Sequence, residues 1–167
     1  QFNHAKCMSD QLSSFQMLVE NHNPYQKEVI ERFYQLHSED VQVMDRWFSV
    51  QSISPSISVA GIRELMSHKL FTMTNPNRIR SVFGAFTQNH IQFHCQEGYQ
   101  LMTEVIIELD ALNPQIAARF ASVFNHWRRF TSHYSKLQEA ELKTISEVDN
   151  LSNDVYEIVH IALEGRT

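Results

Sequence analysis

Residues 75–86 read NPNRIRSVFGAF, and residues 113–127 read NPQIAARFASVFNHW. Each stretch opens with asparagine and proline. An asparagine side chain can accept a hydrogen bond from the first free backbone N–H groups of a helix, and proline at the first helical position loses no hydrogen bond. Behind each pair, apolar residues recur every three or four positions, which is the period of one buried helix face. The two stretches therefore predict two amphipathic helices.

Four other places carry similar helix-start signals. Proline follows a short polar residue at Asn23-Pro24 and at Ser54-Pro55, and acidic residues follow closely behind Ser38 and Ser152. Short polar side chains cap helices, and acidic residues are favourable near the positive end of the helix dipole. We expect a helix to begin at each of these places.

Apolar residues at helical spacing continue through much of the rest of the chain, and no segment alternates as a strand does. Asn75 and Asn113 are 38 residues apart, about the length of one helix-turn-helix unit in α-solenoids. The sequence predicts an all-α fold. We expect an irregular, solenoid-like superhelix of antiparallel helix pairs with about eight to ten helices.

Length, composition and charge limit the classes of protein to which the chain can belong. Its 167 residues, 43% of them hydrophobic, suffice for one core, so we expect a single helical domain over residues 1–167. A net charge of −5 offers no basic surface for a phosphate backbone, and we expect no nucleic-acid partner. The apolar runs are far shorter than the roughly 20 residues of a membrane-spanning helix, so we expect no membrane association.

The two cysteines and the first residue suggest where the chain comes from. Cys7 and Cys95 can form at most one disulfide, which favours a reducing, cytoplasmic compartment. The chain starts at Gln1 with neither a methionine nor a leader, and we interpret this start as a cut within a larger protein.

One pair of histidines has the spacing of a metal site. His90 and His94 are four residues apart, as in the zinc motif H-E-x-x-H, but position 91 is Ile91 and not glutamate. Without further ligands we interpret both as ordinary histidines beside a loop, and we assign no role to the neighbouring Cys95. The sequence also lacks a nucleophile elbow and a phosphate-binding glycine loop, so we expect neither catalytic residues nor a cofactor in this chain.

Polar side chains mark one face of the helix that begins behind Asn113. Gln115 and Arg119 are four residues apart and share a face that lies away from the apolar residues Ile116 and Phe120. The amide can donate and accept, and the guanidinium offers a fork of donors suited to a carboxylate or a peptide carbonyl. Taken alone, such a face is either solvated surface, the commoner case, or a contact with a neighbour.

Two arginines follow the other asparagine cap. Arg78 and Arg80 lie in the first turns of their helix, where a cation opposes the helix dipole. Their placement is unfavourable unless an anion or a partner compensates.

Five segments, taken in order, closely resemble the C-terminal helical domain of bacterial aminopeptidase N. The similarity extends over residues 41–163. The segments are Val43–Phe48 (VMDRWF), Phe71–Ser81 (FTMTNPNRIRS), Phe93-His94 leading to Gly98-Tyr99, Asn113–Arg119 (NPQIAAR) and Leu151–Glu157 (LSNDVYE). The loop between Thr87 and Gly98 departs from the family pattern.

The resemblance implies a function for the whole parent protein. The family comprises zinc metallopeptidases of the thermolysin-like class, whose metal ligands and catalytic glutamate lie in a separate domain with H-E-x-x-H. That motif is absent here. By resemblance, the chain closes over the catalytic domain of the same polypeptide and walls a cavity for peptide substrates. Zinc belongs to that other domain, and the chain alone is expected to be inactive.

The resemblance also assigns roles to single residues. Gln115, Arg119 and Arg80 keep the family residue types and are implied to line the substrate channel. Arg78 belongs to the same motif, without an implied direction.

An alternative reading is a stand-alone helical solenoid that acts as an adaptor and binds a protein partner in its groove. Such a groove would expose apolar or aromatic anchor residues, whereas a channel wall would expose the polar side chains named above.

Overall fold

The computed structural model describes residues 7–21 and 24–165, and within these ranges it contains helices and turns but no strand. The all-α prediction is confirmed. The described residues form nine α-helices, which are α1 (Met8–Glu20), α2 (Gln26–His37), α3 (Val41–Ile53), α4 (Val59–Met66), α5 (Pro76–Ile79), α6 (Gln96–Leu112), α7 (Pro114–Ala121), α8 (Ser132–Ser146) and α9 (Asn153–Glu164). A π-helix, Arg80–Gly84, continues α5, and two 3-10 helices, Ser122–Phe124 and Trp127–Arg129, follow α7.

The chain divides into two compact units, Gln1–Gln92 and Phe93–Thr167. In the first unit α1 packs against α2 and α3, and α3 packs against the π-helix. The buried side chains of this unit are mostly aromatic and large aliphatic, and include Phe15, Phe33, Met44, Phe48, Ile62, Val82, Phe83 and Phe86. The expectation of a single domain over 1–167 stays a prediction.

In the second unit α6 packs against α7 and α8, and α9 packs against α7 and α8. Its core is built in the same way and includes Tyr99, Leu101, Met102, Val105, Ile106, Leu109, Phe124, Leu142, Ile145, Val155 and Val159. Removal of these apolar side chains from water is the main driving force for packing the helices, at roughly 25 cal/mol per Å² of apolar surface.

The C-terminus of α9 is held by side chains from the second 3-10 helix. Trp127 Nε1 donates to the carbonyl of Ala162 at 3.0 Å, and the Arg128 guanidinium donates to the carbonyls of Ala162 and Leu163. These acceptors belong to the last turn of α9, where carbonyls lack partners within the helix and the dipole favours a cation. Gly165 ends the helix with φ 75°, in the left-handed region.

Three predicted helix starts are confirmed. The Asn75 side chain accepts from the N–H groups of Asn77 and Arg78 at 3.0 and 3.3 Å. The side chain of Asn113 caps α7 by accepting from Ile116, and that of Ser152 caps α9 by accepting from Val155.

The predicted start at Ser54-Pro55 is wrong. Ser54 is buried and its hydroxyl donates to the carbonyl of Val19 at 2.9 Å, so it is occupied by a tertiary contact at the end of α3. Helix α4 begins later, behind Ser58, whose hydroxyl accepts from the N–H of Gly61.

Two further starts are displaced. Ser38 ends α2, and the cap of α3 is Asp40, whose carboxylate accepts from two backbone N–H groups of the first turn. A carboxylate satisfies these donors and also complements the dipole, which favours Asp40 over Ser38. Asn23 lies outside the described residues; α2 begins at Gln26, with Tyr25 at the N-cap position, so Pro24 is not its first residue.

Among the described helices, none combines the length and the apolar content needed to cross a membrane.

Candidate functional site

The polar face of α7 is present as the sequence predicts. Gln115 and Arg119 are both exposed, while Ile116, Ala117 and Phe120 of the same helix are buried. The Asn113 side chain fixes the start of α7 by accepting from the N–H of Ile116 at 3.2 Å. The Gln115 amide and the Arg119 guanidinium therefore lie one turn apart on the same exposed face of α7, where they can contact a ligand or a neighbour.

Arg80 belongs to the first unit and is also exposed. It is the first residue of the π-helix Arg80–Gly84, directly after the short α5. π-Helical turns are rare and are found mainly as single turns within α-helices, frequently at functional sites. The wider turn changes the direction of the residues in it relative to an uninterrupted α-helix.

Arg78 behaves differently from Arg80. Its side chain is buried, with Nη1 3.0 Å from Oδ1 of Asp45 and the guanidinium carbon 4.8 Å from the centre of the Phe48 ring. The anion that the sequence requires for a cation in this first turn is thus Asp45 of α3. Arg78 connects α5 to α3 inside the first unit and is only 4% exposed.

The histidines at 90 and 94 do not form a metal site. Within the part of the chain that the structure describes, no group of three histidine, cysteine or carboxylate side chains could hold a metal ion. His90 and His94 thus have no third ligand beside them among the described residues.

The structure gives His94 a hydrogen-bonded role that the sequence did not predict. Its Nδ1 lies 2.9 Å from the hydroxyl of Tyr99, which also accepts from Nε2 of Gln138 at 3.1 Å. The Tyr99 hydroxyl can accept from Gln138 and still either donate to His94 or accept from it, according to the tautomer of the imidazole. Burial, together with the nearby Tyr134 hydroxyl, raises the pKa of Tyr99 to about 12. The hydrogen bond between Tyr99 and Gln138 connects α6 to α8.

Cys95 caps α6. Its Sγ accepts from the N–H of Gly98 at 3.3 Å, and both Cys7 and Cys95 are free thiols. The sequence did not predict this cap, and a thiol is an uncommon one because sulfur is a weak acceptor.

The first unit also contains an open cleft that the sequence did not indicate. Its volume is about 610 Å³, and its walls come from the end of α1, from α2, α3 and α4, and from the segment between α3 and α4. Residues from these separate segments have no common spacing, so no local motif could identify them. Its charged lining residues are Lys27, Glu31 and Glu64, with the imidazole of His68 beside them.

Comparison with known proteins identifies the family. A family model described as "Domain of unknown function (DUF3458_C) ARM repeats" matches residues 1–164. The chain belongs to the DUF3458_C family. Armadillo-type repeats are built from packed helices, in agreement with the all-α fold of this DUF3458_C domain.

Curated relatives of this DUF3458_C domain are aminopeptidases. Aminopeptidase N of Escherichia coli strain K12 is 34% identical over 167 residues, which cover 98% of this chain and 19% of that protein. Aminopeptidase N of Haemophilus influenzae strain Rd gives the same identity and the same coverages. The chain therefore spans about a fifth of the length of the curated relatives that it matches.

A solved structure agrees with these relatives. The chain is similar to the crystal structure of Legionella pneumophila aminopeptidase A in complex with aspartic acid, with a TM-score of 0.92 and 29% identity. The match covers 99% of this chain and 20% of that one. The resemblance to aminopeptidase N is thereby confirmed, and this DUF3458_C domain is homologous to part of an aminopeptidase.

Proposed function

We propose that this chain is the C-terminal helical domain of a zinc aminopeptidase that removes N-terminal residues from peptides. In this proposal it encloses the active-site cavity and lines the substrate channel, while the zinc and its ligands lie in the catalytic domain of the same polypeptide. We place the parent enzyme in the cytoplasm and treat residues 1–167 as one helical domain of it.

The observation that carries the proposal is the similarity to aminopeptidases along the whole chain, combined with the small share of those relatives that the chain covers. In this proposal the segment, which is homologous to a fifth of a peptidase, contributes enclosure and positioning, while another domain cleaves the peptide bond. Correct positioning of a substrate can contribute as much to the rate as the reacting groups do.

The channel residues in this proposal are Gln115, Arg119 and Arg80. All three side chains are exposed, and none is needed for the core of its unit. A guanidinium can hold a peptide carbonyl or a terminal carboxylate with two parallel N–H donors, and the amide of Gln115 can pair with either half of a peptide group.

The adaptor alternative is less well supported. It requires a cluster of exposed apolar anchors, and the relatives give no indication of an independent helical protein. We therefore retain the peptidase domain as the proposed function.

Arg119→Ala in the full-length parent enzyme tests this proposal. We expect kcat/KM for several dipeptides and tripeptides to fall about tenfold, since one charge-assisted contact to the substrate is lost. The melting temperature should change by less than about 2 °C because the side chain is exposed.

Arg32→Ala is the matched control, because Arg32 is an exposed arginine on α2. It should leave both kcat/KM and the melting temperature unchanged. If Arg119→Ala preserves kcat/KM with every peptide, Arg119 is not a channel residue; if the parent enzyme hydrolyses no peptide, the proposed function itself is wrong.

A further inference from the structure

A buried ion pair lies two residues before the exposed Arg80. Arg78 has only 4% of its surface exposed, and its Nη1 lies 3.0 Å from Oδ1 of Asp45, a partly buried residue of α3. The guanidinium carbon lies 4.8 Å from the centre of the Phe48 ring, one turn further along the same helix. Arg78 is therefore held on α3 by an opposite charge and by an aromatic face.

The hydrogen bonding of this pair is incomplete. Among the described residues, no group accepts from Nε or Nη1 of Arg78 in hydrogen-bond geometry, and none donates to Oδ1 of Asp45. A buried ion pair offsets the cost of removing two charges from water only when its geometry is good and further hydrogen bonds satisfy both groups. Apolar residues of similar volume often stabilise a protein at least as well. Stability alone therefore does not account for this pair.

Arg80 lies between anchored neighbours. Ile79, directly before it, is 1% exposed. Ser81, directly after it, is buried, and its hydroxyl donates to the carbonyl of Arg78 at 2.8 Å. The turn that carries Arg80 is thus tied back to the residue that α3 holds.

The π-helix makes this anchor important for direction. Arg80 is the first residue of the π-helix, whose turn holds one residue more than an α-turn. One residue corresponds to a rotation of about 100° around a helix axis, so the direction of Arg80 depends on where the wider turn begins. The contacts of Arg78 fix the backbone immediately before that point.

We propose that Asp45 and Arg78 are positioning residues for Arg80. By holding the turn before the π-helix on α3, they direct the Arg80 guanidinium toward the peptide substrate. A guanidinium holds a peptide carbonyl or carboxylate best when its planar fork has the right orientation. Arg78 itself is buried and acts only through Arg80. This inference rests on the proposed function, because it needs Arg80 to line the substrate channel.

The combined variant Asp45→Leu and Arg78→Met in the full-length parent enzyme tests this role. It replaces both charges by apolar groups and leaves neither partner alone, so the melting temperature should stay close to that of the parent enzyme. We expect kcat/KM for trialanine to fall about three- to tenfold, mainly through a higher KM. With alanine β-naphthylamide, which has no carbonyl or carboxylate beyond the bond that is cut, the fall should be at least about threefold smaller. Equal falls with both substrates would indicate structural damage and overturn the proposal.

A double-mutant cycle with Arg80→Ala shows whether the pair acts through Arg80. If it does, Arg80→Ala lowers kcat/KM for trialanine, and the combined variant adds less than about twofold in that background. Effects that multiply fully would overturn the proposal. If Arg80→Ala lowers kcat/KM while the combined variant keeps the parent value, the positioning role is wrong and the proposed function stands. If Arg80→Ala affects no peptide, the channel role of Arg80 is itself wrong, and the positioning role with it.

A conservative variant and a matched control complete the test. Arg78→Lys keeps the charge beside Asp45 but lacks the planar group that lies over Phe48, and it should lower kcat/KM for trialanine about two- to fivefold. This variant decides the question if the combined variant does not fold, and an unchanged kcat/KM would then overturn the proposal. Removal of the exposed pair of α8 by Glu139→Gln and Lys143→Gln should leave kcat/KM within about twofold of the parent value. A larger fall in this control than in the combined variant would also overturn the proposal.

Discussion

At the scale of single residues, Arg78 illustrates how a buried cation depends on one partner. Its guanidinium lies against Phe48, and Asp45 supplies the compensating charge from a different helix. The sequence shows that a cation in this first turn needs compensation, but it cannot name the partner, because Asp45 and Arg78 become neighbours only when α3 and α5 pack.

Asp45→Asn should therefore destabilise the chain strongly. Removing one member of a buried ion pair leaves the other charge uncompensated, and we expect a loss of about 2–4 kcal/mol in equilibrium urea unfolding. Glu139→Gln removes a carboxylate from the exposed pair Glu139–Lys143 and should cost less than about 0.5 kcal/mol. Equal losses in the two variants would show that the pair with Arg78 contributes no more than a surface pair.

His68 should make stability depend on pH. Its pKa is lowered in the folded chain, chiefly by burial and then by Lys69 and Arg78. As pH falls below about 6.5, the ordinary histidine value, the unfolded chain takes up the proton first, so stability is lost between that pH and the lower pKa of the folded state. Above about pH 6.5, the neutral imidazole of His68 makes its full contribution to the stability of the folded chain.

The variant His68→Asn removes this titration. We expect its free energy of unfolding to fall less than that of the parent chain between pH 7.5 and pH 5, as measured by urea unfolding across that range. Parallel curves for the two proteins would show that His68 takes up protons equally in the folded and unfolded states.

At the scale of helices, the sequence predicts starts where the cap acts on its own chain neighbours. Asn75, Asn113 and Ser152 each cap through an acceptor two or three residues away, so short-range chemistry decides the outcome. Ser54 carries the same signal, but its hydroxyl is engaged by Val19, 35 residues earlier. Tertiary contacts of this kind override a local preference, and no local pattern reveals them.

Periodicity predicts burial better than it predicts helix type. The apolar residues Ile116, Phe120, Phe124 and Trp127 are all buried as one helix face would require, yet α7 ends at Ala121 and two 3-10 turns follow. The π-helix at 80–84 is likewise invisible in the apolar pattern. Spacings of three and four fit α, 3-10 and π turns alike over short segments.

Two glycines in helical segments should respond oppositely to alanine. Gly165 has φ 75° and an added Cβ would lie 3.4 Å from Arg128 Cζ, so Gly165→Ala should cost about 1 kcal/mol. Gly84 has room for a Cβ, with Arg80 Cβ 4.0 Å away, and Gly84→Ala should stabilise by about 0.4–1 kcal/mol. Urea unfolding measures both. If Gly165→Ala is as stable as the parent chain, the assignment of Gly165 as a left-handed helix end is wrong; if Gly84→Ala is destabilised, the expected room for a Cβ at that position is wrong.

At the scale of the whole molecule, the polar face of α7 follows from spacing alone, since its two residues are four apart on one helix. The function of these two residues cannot be predicted from the spacing, because a polar pair on an ordinary solvated surface has the same local sequence. A role for this face within an enzyme is implied only by the resemblance along residues 41–163. The cleft could not be predicted, since its lining comes from segments between Val19 and His68 that meet only after folding.

The isolated chain should not cleave peptides. Supplied with zinc and assayed with alanine p-nitroanilide and several dipeptides, it should give no rate above the buffer with zinc, because a peptidase metal needs at least three protein ligands. The full-length parent enzyme is the positive control. Zinc-dependent hydrolysis that purifies with the 167-residue chain would overturn the assignment of catalysis to another domain.

The hydrogen bonds from Trp127 and Arg128 to the carbonyls of Ala162 and Leu163 limit where this chain can be joined to another protein in a chimera. Donors and acceptors in these bonds lie about 35 residues apart in the sequence. A chimera that stops before α9 would therefore leave the Trp127 N–H and the Arg128 guanidinium without these acceptors. A graft of this unit onto another protein therefore has to include all residues from Phe93 to Gly165, and the crossover points belong outside that range.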